Sequence, residues 1–332
     1  MGSGLPKLSD TTRISPNIVR ILGQNPGLKT LQGTNSYLIS DTALRRILVD
    51  TTSDGGGLSK YTSLMQEQLT SSFISDIIIT HWHPDHVGGI NAILRLHGQN
   101  SDSVKIHKYK SDSAPSLQDL GIHSKNIHDL KNGQILPMSD ELKLHVVYTP
   151  GHASDHVCLL LKESDVPTFL FTGDIILGHG STLVEYLPHY MDSLNLLRDM
   201  VKNNPSITLL PAHGDIVPLS LSKVDEYISN RQSRIDKCYK YLCDKQSTGQ
   251  VKEEPILDVV YSETPAALKP VALINLRHSL FYLQEKSPQL GLTPENGFSY
   301  DDFVQHIRNP EALNKNNPML NPWIWNFAKK VY

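Results

Sequence analysis

One short segment constrains this chain more than any other. Ile77-Ile78-Ile79-Thr80 reads as a β-strand buried on both faces, and it runs directly into His81-Trp82-His83-Pro84-Asp85-His86-Val87-Gly88-Gly89. In an extended segment alternate residues point the same way, so His81 and His83 project together, while Asp85 and His86 open the next turn and face the same space. Four borderline ligands therefore converge within six positions. Imidazoles with one carboxylate suit zinc, ahead of iron or manganese.

Further ligands are then expected at other strand ends, and three places fit. His152 in Thr149-Pro150-Gly151-His152 follows an apolar run ending near Tyr148. Asp174 ends the run Phe169 to Thr172 through Gly173, and His213 in Pro211-Ala212-His213-Gly214 follows Ile207 to Leu210. Each has glycine beside it, which lets the backbone pass close to a metal. The seven ligands fill two four-coordinate sites if one is shared. Asp50, ending the strand Ile47 to Asp50, is expected to orient a ligand from behind. His156 reads as a structural histidine, His179 as a proton donor or substrate contact facing the cleft, and Trp82 as packing beneath the site.

The rest of the chain is an ordinary soluble composition of 332 residues, 39% apolar and 20% charged, enough to bury a catalytic core. A net charge of −3 removes the easiest argument for a dedicated nucleic-acid binder without excluding a local basic groove. Cys158, Cys238 and Cys243 form no Cys-x-x-Cys pair, so a disulfide framework is not expected and a reducing compartment fits. No apolar run approaches the ~20 residues of a membrane span. The first twenty residues hold several Ser, Thr, Lys and Arg with one acid, a weak presequence signature, so the expected location is the cytoplasm or the mitochondrial matrix. Met1-Gly2-Ser3-Gly4 carries no weight in the fold argument.

Strands are expected at Ile18 to Leu22, Tyr37 to Ser40, Ile47 to Thr51, Val104 to His107, Leu142 to Tyr148 and Val157 to Leu161, and helices over Leu58 to Leu69, Val87 to His97 and Met191 to Lys202. Strands outnumber helices yet alternate with them, so two sheets packed face to face with helices outside fit better than one doubly wound sheet. From about Leu221 the texture turns helical, over Lys223 to Leu242 and Pro265 to Lys286 with almost no strand signal between. The final stretch carries five prolines and closes on Trp323-Ile324-Trp325-Asn326-Phe327, a tail expected to wrap and dock. The expected division is 1–220, 221–286 and 287–332.

With those ligands in place, the sequence resembles the metallo-β-lactamase superfamily, whose His-x-His-x-Asp-His signature stands here as His81 to His86. More narrowly it is similar to the β-lactamase-like protein 2 group, through Leu22 to Gly27, Thr30 to Leu38, Thr80 to His83, Pro150 to His152 and Leu177 to Gly180. The resemblance covers about residues 14 to 245 well and 246 to 286 faintly. It implies an α/β fold, an αββα sandwich with a C-terminal helical, winged-helix-like region, and a dinuclear zinc site at the sheet edge. By that resemblance His81, His83 and His152 hold the first of two zinc ions, Asp85, His86 and His213 the second, and Asp174 bridges. Two departures fall in one loop: Thr51-Thr52 where the family usually has Thr-Gly, and the inserted Gly55-Gly56-Gly57.

Two zinc ions a few ångströms apart lower the pKa of a shared water from ~15.7 toward 7 and stabilise an oxyanion, so the expected activity is that of a dinuclear zinc metallohydrolase with a metal-bridging hydroxide. Asp85 is expected to double as proton acceptor. The resembling group includes single-strand RNA endonucleases and fungal enzymes that hydrolyse a thioester on an acyl carrier protein, and the ligands do not choose between them. The leading expectation is the single-strand RNA endonuclease; the alternative is an acyl-thioester hydrolase, including a glyoxalase II-type activity. A third reading, a scaffold that keeps the fold without activity, usually goes with lost ligands, and all seven are here. For RNA, Lys237, Lys240 and Arg277 are the expected phosphate contacts, though residues 231–332 hold only 13 Lys+Arg against 11 Asp+Glu. The expected partner is thus single-stranded RNA or an acyl thioester, with no membrane and with a homodimer allowed.

Overall fold

The computed structural model describes residues 5–42, 44–308 and 321–328. Met1 to Gly4 and the Asn-rich part of the tail up to position 320 lie outside the described residues. By contacts the chain divides into two units, Met1–Leu183 with Ser193–Val224, and Val184–Asp192 with Asp225–Tyr332.

The first unit is built on two sheets. Strands β1 (Thr11–Ser15), β2 (Ile18–Leu22), β3 (Asn35–Ser40), β4 (Arg45–Val49), β5 (Phe73–Ile79), β6 (Lys105–Tyr109) and β7 (Ile127–Leu130) lie side by side in chain order. The first four pair antiparallel, and β4 to β7 run parallel. The second sheet has the order β12, β11, β10, β9, β8, from β8 (Ile135–Pro137), β9 (Leu142–Tyr148), β10 (Val157–Glu163), β11 (Val166–Gly173) and β12 (Thr208–Pro211).

The period of two explains the layering. On β3, β4 and β5, Leu38, Leu48, Ile77 and Ile79 enter one core, shared with Tyr61 and Met65 of helix α1 (Leu58–Leu69) and Ile90 and Ile93 farther on. The alternate residues Tyr37, Ile39, Ile47, Val49 and Ile78 enter a second core, closed by Leu144, Val146, Leu159, Leu161, Phe171 and Leu210 of the other sheet. Ile77, Ile78 and Ile79 are thus buried on both faces, as their unbroken run predicts. The ligands stand just past the C-terminal ends of strands: His81 after β5, His152 after β9, Asp174 after β11 and His213 after β12.

The expected helix from Val87 to His97 is instead α2 (Pro84–Val87) and α3 (Ile90–Leu96), parted at Gly88-Gly89. Gly89 N–H donates to the Thr52 carbonyl at 2.7 Å, and a Cβ on Gly88 would stand 2.4 Å from the Asp54 nitrogen. Close backbone packing against the β4 loop, unseen in the periodicity, breaks the helix. The edge strands β1, β7 and β8 also carry too little apolar alternation to be read from sequence; β1 is Thr-Thr-Arg-Ile-Ser, partly exposed throughout.

Helix α4 (Leu187–Asn203) has its first turns in the second unit, and α5 (Ser220–Lys245) continues into it. There follow α6 (Glu253–Val260), α7 (Lys269–Lys286) and α8 (Tyr300–Ile307). Helix α7 buries nine residues on all sides, from Ala272 to Leu283, which marks it as the centre of this unit. Ser299 and Asp302 cap α8 reciprocally, each side chain bonding the other's backbone N–H. A three-stranded sheet of β13 (Gln250–Lys252), β15 (Ile324–Asn326) and β14 (Thr293–Pro294), with β15 central, corrects the expectation of almost no strand between the helices. Its strands have two or three residues each, too short for periodicity to register. No helix among the described residues is long and apolar enough to cross a membrane.

Candidate metal centre

All seven predicted ligands meet at the strand ends. They form two groups, His81, His83, His152 and Asp174, and Asp85, His86 and His213, each with its ligand atoms within 4.8 Å of one another. In the first, His81 Nε2 lies 2.9 Å from His83 Nδ1 and 3.2 Å from His152 Nε2, and His152 Nε2 is 3.0 Å from His83 Nδ1. In the second, His213 Nε2 is 3.1 Å from Asp85 Oδ2, and His86 Nε2 is 3.5 Å from the same oxygen. Asp174 spans both: Oδ2 lies 3.6 Å from His152 Nε2, and Oδ1 lies 3.2 Å from His213 Nε2 and 3.6 Å from His86 Nε2.

The hydrogen bonds behind the rings fix which nitrogens are bare. Thr80 Oγ1 donates to Asp50 Oδ2 at 2.7 Å, so at 3.1 Å it accepts from His81 Nδ1, and His81 Nε2 is left as a lone pair. His152 Nδ1 donates to the Leu183 carbonyl at 2.8 Å, since a carbonyl only accepts, and His152 Nε2 is bare as well. Two lone pairs thus confront each other at 3.2 Å, an arrangement that repels unless a cation sits between them. His86 Nδ1 donates to Asp50 Oδ2 at 2.9 Å, and its Nε2, like Asp174 Oδ1, is buried without a hydrogen bond among the described residues. Ligands ~2.0–2.1 Å from a tetrahedral zinc lie roughly 3.3 Å apart, and the observed spacings of 2.9–3.6 Å bracket that figure. Nitrogen donors with two carboxylates therefore fit divalent metal binding.

Electrostatics separates the two groups. Burial, with repulsion from neighbouring rings, holds His81 and His83 well below the usual imidazole pKa, so both are neutral ligands. Burial opposes protonation of His213 too, but Asp174 and Asp85 outweigh it and push it up to about 9. Asp50, Asp85 and Asp174 likewise raise His86 despite its burial. Desolvation works against Asp174 and Asp85, yet the adjacent His86 and His213 hold both well below the carboxylate range.

The supporting residues explain the geometry. Asp50 sits at φ +55°, a left-handed backbone uncommon for aspartate, from which it grips His86, Thr80 Oγ1 and the Thr80 N–H. That is the orienting role expected of it. Gly173 takes φ +48°, and a Cβ there would meet His156 Nε2 at 2.5 Å. His156 is structural, as expected: its Nδ1 pairs with Thr149 Oγ1 at 2.9 Å, and its Nε2 accepts the Asp174 N–H at 3.1 Å. Trp82 packs edge-on against His83. Thr51 donates to the His86 carbonyl at 2.6 Å, and Thr52, which stands where the family usually has glycine, donates to the Gly23 carbonyl at 2.6 Å. His179 is exposed and lies outside both ligand groups, on a turn whose Gly178 N–H donates to the His213 carbonyl at 2.8 Å.

Sequence reasoning missed Asn35. Its buried amide donates to the carbonyls of Pro211 at 2.9 Å and Gly214 at 2.8 Å, bracketing His213. The available signal was an amide heading the strand Asn35–Ser40. Arg277, an expected phosphate contact, is instead fully buried: its guanidinium pairs with Glu253 at 2.8 Å and stacks 3.9 Å over Trp323. Lys237 and Lys240 are exposed.

The sequence profile of the metallo-beta-lactamase superfamily matches residues 30–213. A Caenorhabditis elegans protein named beta-lactamase-like protein 2 homolog is 36% identical over 267 residues, 80% of this chain and 83% of its own. An Aspergillus terreus protein named atrochrysone carboxyl ACP thioesterase is 33% identical over 254 residues, covering 75% and 71%. Among solved structures, a beta-lactamase domain protein from Burkholderia ambifaria superposes with a TM-score of 0.66 at 18% identity, over 86% of this chain and 91% of that one.

Proposed function

Because the chain belongs to the metallo-β-lactamase superfamily, we propose that it is a hydrolase working with two zinc ions, and that its substrate is an acyl thioester. The observation that carries the metal reading is the pair of bare nitrogens on His81 and His152, 3.2 Å apart, with the Asp174 carboxylate reaching both ligand groups. Bound there, the ions supply Lewis acidity, which brings a water near pKa ~7 and offsets negative charge in the transition state. The chain's own part is positional. His81, His83 and His152 would hold one ion as neutral donors, Asp85, His86 and His213 the other, and Asp174 both. Asp85, whose side chain keeps 20% of its exposure against 10% for Asp174, is the more open of the two ligand carboxylates and would be the group to take up a proton from an attacking water. His179, exposed on its turn beside the His213 segment, would return a proton to the leaving group.

The relative named as an ACP thioesterase supports the thioester as substrate class. The second reading, single-stranded RNA, draws on the fuller coverage of the C. elegans relative, whose group the sequence resembles. Burial of Arg277 removes one of its expected phosphate contacts, and the rings of Tyr261 and Phe281 in the helical region are buried, out of reach of a stacking base. In this reading residues 1–220 are the hydrolase domain, 221–286 a winged-helix-like region and 287–332 a docked tail.

The test is zinc-loaded and chelator-treated protein given an acyl-pantetheine thioester and, separately, single-stranded RNA across a salt series. Chelator-sensitive thioester turnover that barely responds to salt is the expected result. RNA cleavage that weakens as salt rises, without thioester turnover, would replace the proposal with the second reading. Neither activity in the metal-loaded protein would sink both.

A further inference from the structure

The loop that carries His152 from β9 to β10 buries another carboxylate three residues later. Asp155 has no exposed surface, and it forms an ion pair with Lys108 of β6, itself 7% exposed. Lys108 stands in parallel register beside Ile79, two residues before His81. On either side of Asp155, Tyr148 Oη donates to the Ser154 carbonyl at 2.9 Å and Val157 N–H donates to the Thr80 carbonyl at 2.9 Å. Around Asp155, therefore, the His152 loop is tied to the end of β6 by the ion pair and to Thr80, the residue before His81, by the Val157 N–H.

Burying two charges is costly, and a buried ion pair contributes little net stability against apolar residues of the same volume. Here the pair lies where three strand ends must hold a fixed spacing. We propose that Asp155, held by Lys108, is a positioning residue for the metal group of His81, His83 and His152. It locks the loop of His152 onto the segment bearing the other two rings, so that their bare nitrogens converge at 2.9–3.2 Å. The group of Asp85, His86 and His213 hangs on other supports: Asp50 behind His86, and Asn35 around His213. The effect is therefore confined to one of the two metal equivalents. The inference rests on the metal reading above.

The experiment is a zinc titration of the full chain against a competing chromophoric chelator, for the parent protein, Asp155→Asn, Lys108→Met and Lys108→Arg, alongside the melting temperature of each metal-free protein. One of two zinc equivalents is expected to weaken ~10–100-fold in Asp155→Asn and Lys108→Met, with the other unchanged and with most of the loss restored in Lys108→Arg. The visible spectrum of the cobalt(II)-loaded variants should change for that equivalent alone. If either single variant fails to fold because one buried charge is left uncompensated, the double variant Asp155→Asn/Lys108→Met, which removes both charges, takes its place in the titration. Equal weakening of both equivalents, or a lowered melting temperature with zinc affinity intact, makes the pair merely structural and overturns the proposal. A parent protein that binds no zinc overturns the metal reading and this inference together. A parent that binds two equivalents, with variants that match it, overturns this inference alone.

Discussion

Two regions of this molecule bury charged and titratable side chains, and they do so in opposite ways. In the second unit the Glu253 carboxylate accepts from Arg277 Nε and Nη2, from the Trp323 N–H and from Trp325 Nε1, at 2.7–3.1 Å. Arg277 in turn donates to the Asn321 carbonyl at 2.7 Å and lies over the Trp323 ring. These groups complete one another, and no further species is needed. At the strand ends of the first unit, His81 and His152 point lone pairs at each other, and His86 Nε2 and Asp174 Oδ1 are buried without a hydrogen bond among the described residues. Polar groups that satisfy one another hold a fold together; polar groups that converge unsatisfied are waiting for a ligand.

The sharpest way to break the comparison is to remove one member of the self-sufficient cluster. Glu253→Ala leaves the Arg277 guanidinium buried without its counter-charge and detaches Trp325 at the centre of the small sheet. A loss of about 3–5 kcal/mol in urea denaturation is expected, with zinc stoichiometry unchanged in the protein that remains folded. A loss under ~1 kcal/mol would show that the cluster does not carry the second unit.

At the metal centre the same operation should act on chemistry and not on folding. His83→Ala or Asp85→Asn is expected to lower turnover of any substrate at least ~100-fold, because a ligand or proton acceptor is removed from the activated water. The metal-free melting temperature should hardly move, since both flanking cores are apolar and closed without the ligands. Rates close to those of the parent would mean that the site lies elsewhere.

The ligands were legible because their chemistry is local: each ends an apolar run and has glycine near it, and the seven sum to two sites. The layering was legible for the same reason, since Ile77-Ile78-Ile79 can only be a strand covered on both faces. What supports the ligands was less so. Asn35 lies more than 170 positions from the His213 turn it brackets, and Lys108 lies 47 positions from Asp155, so neither contact leaves a periodic trace. The second unit was only half visible, because its sheet joins β13 to a strand more than 70 residues later through three-residue pairings.

Removing metal sharpens the contrast between the regions. Zinc at 100 times its dissociation constant contributes ~2.7 kcal/mol per site to a state that alone binds it. Chelation should therefore lower the transition reported by the first unit and leave that of the second in place. The chain has three tryptophans, of which Trp82 stands at the metal centre and Trp323 and Trp325 stand around Glu253, so single-tryptophan variants report each unit separately. Equal shifts in both reporters would contradict the distinction.

The smallest effect is a pH dependence confined to the second unit. His278 on α7 is enclosed by Phe303 and by Tyr300, whose hydroxyl lies 2.8 Å from Nδ1. Burial, aided by the nearby Arg231 cation, pushes its pKa down to about 3, with only the Val184 backbone working the other way. An unfolded chain takes up that proton near pH ~6.5, whereas the folded one does not until near pH 3. Above pH ~6.5 both states are neutral at this ring and it adds no pH dependence. Below it the unfolded state binds the extra proton, so stability falls as the solution is acidified, by about 1 kcal/mol between pH 6.5 and 5.5 and by about 1.4 kcal/mol per pH unit farther below. Denaturation followed through Trp323 and Trp325 at pH 6.5 and 5.5 should show this loss, and His278→Gln, which cannot titrate, should flatten it whatever its own effect on stability. A slope unchanged by the substitution would mean that the ring titrates in the folded chain much as it does in the unfolded one, and that the loss on acidification belongs to other groups.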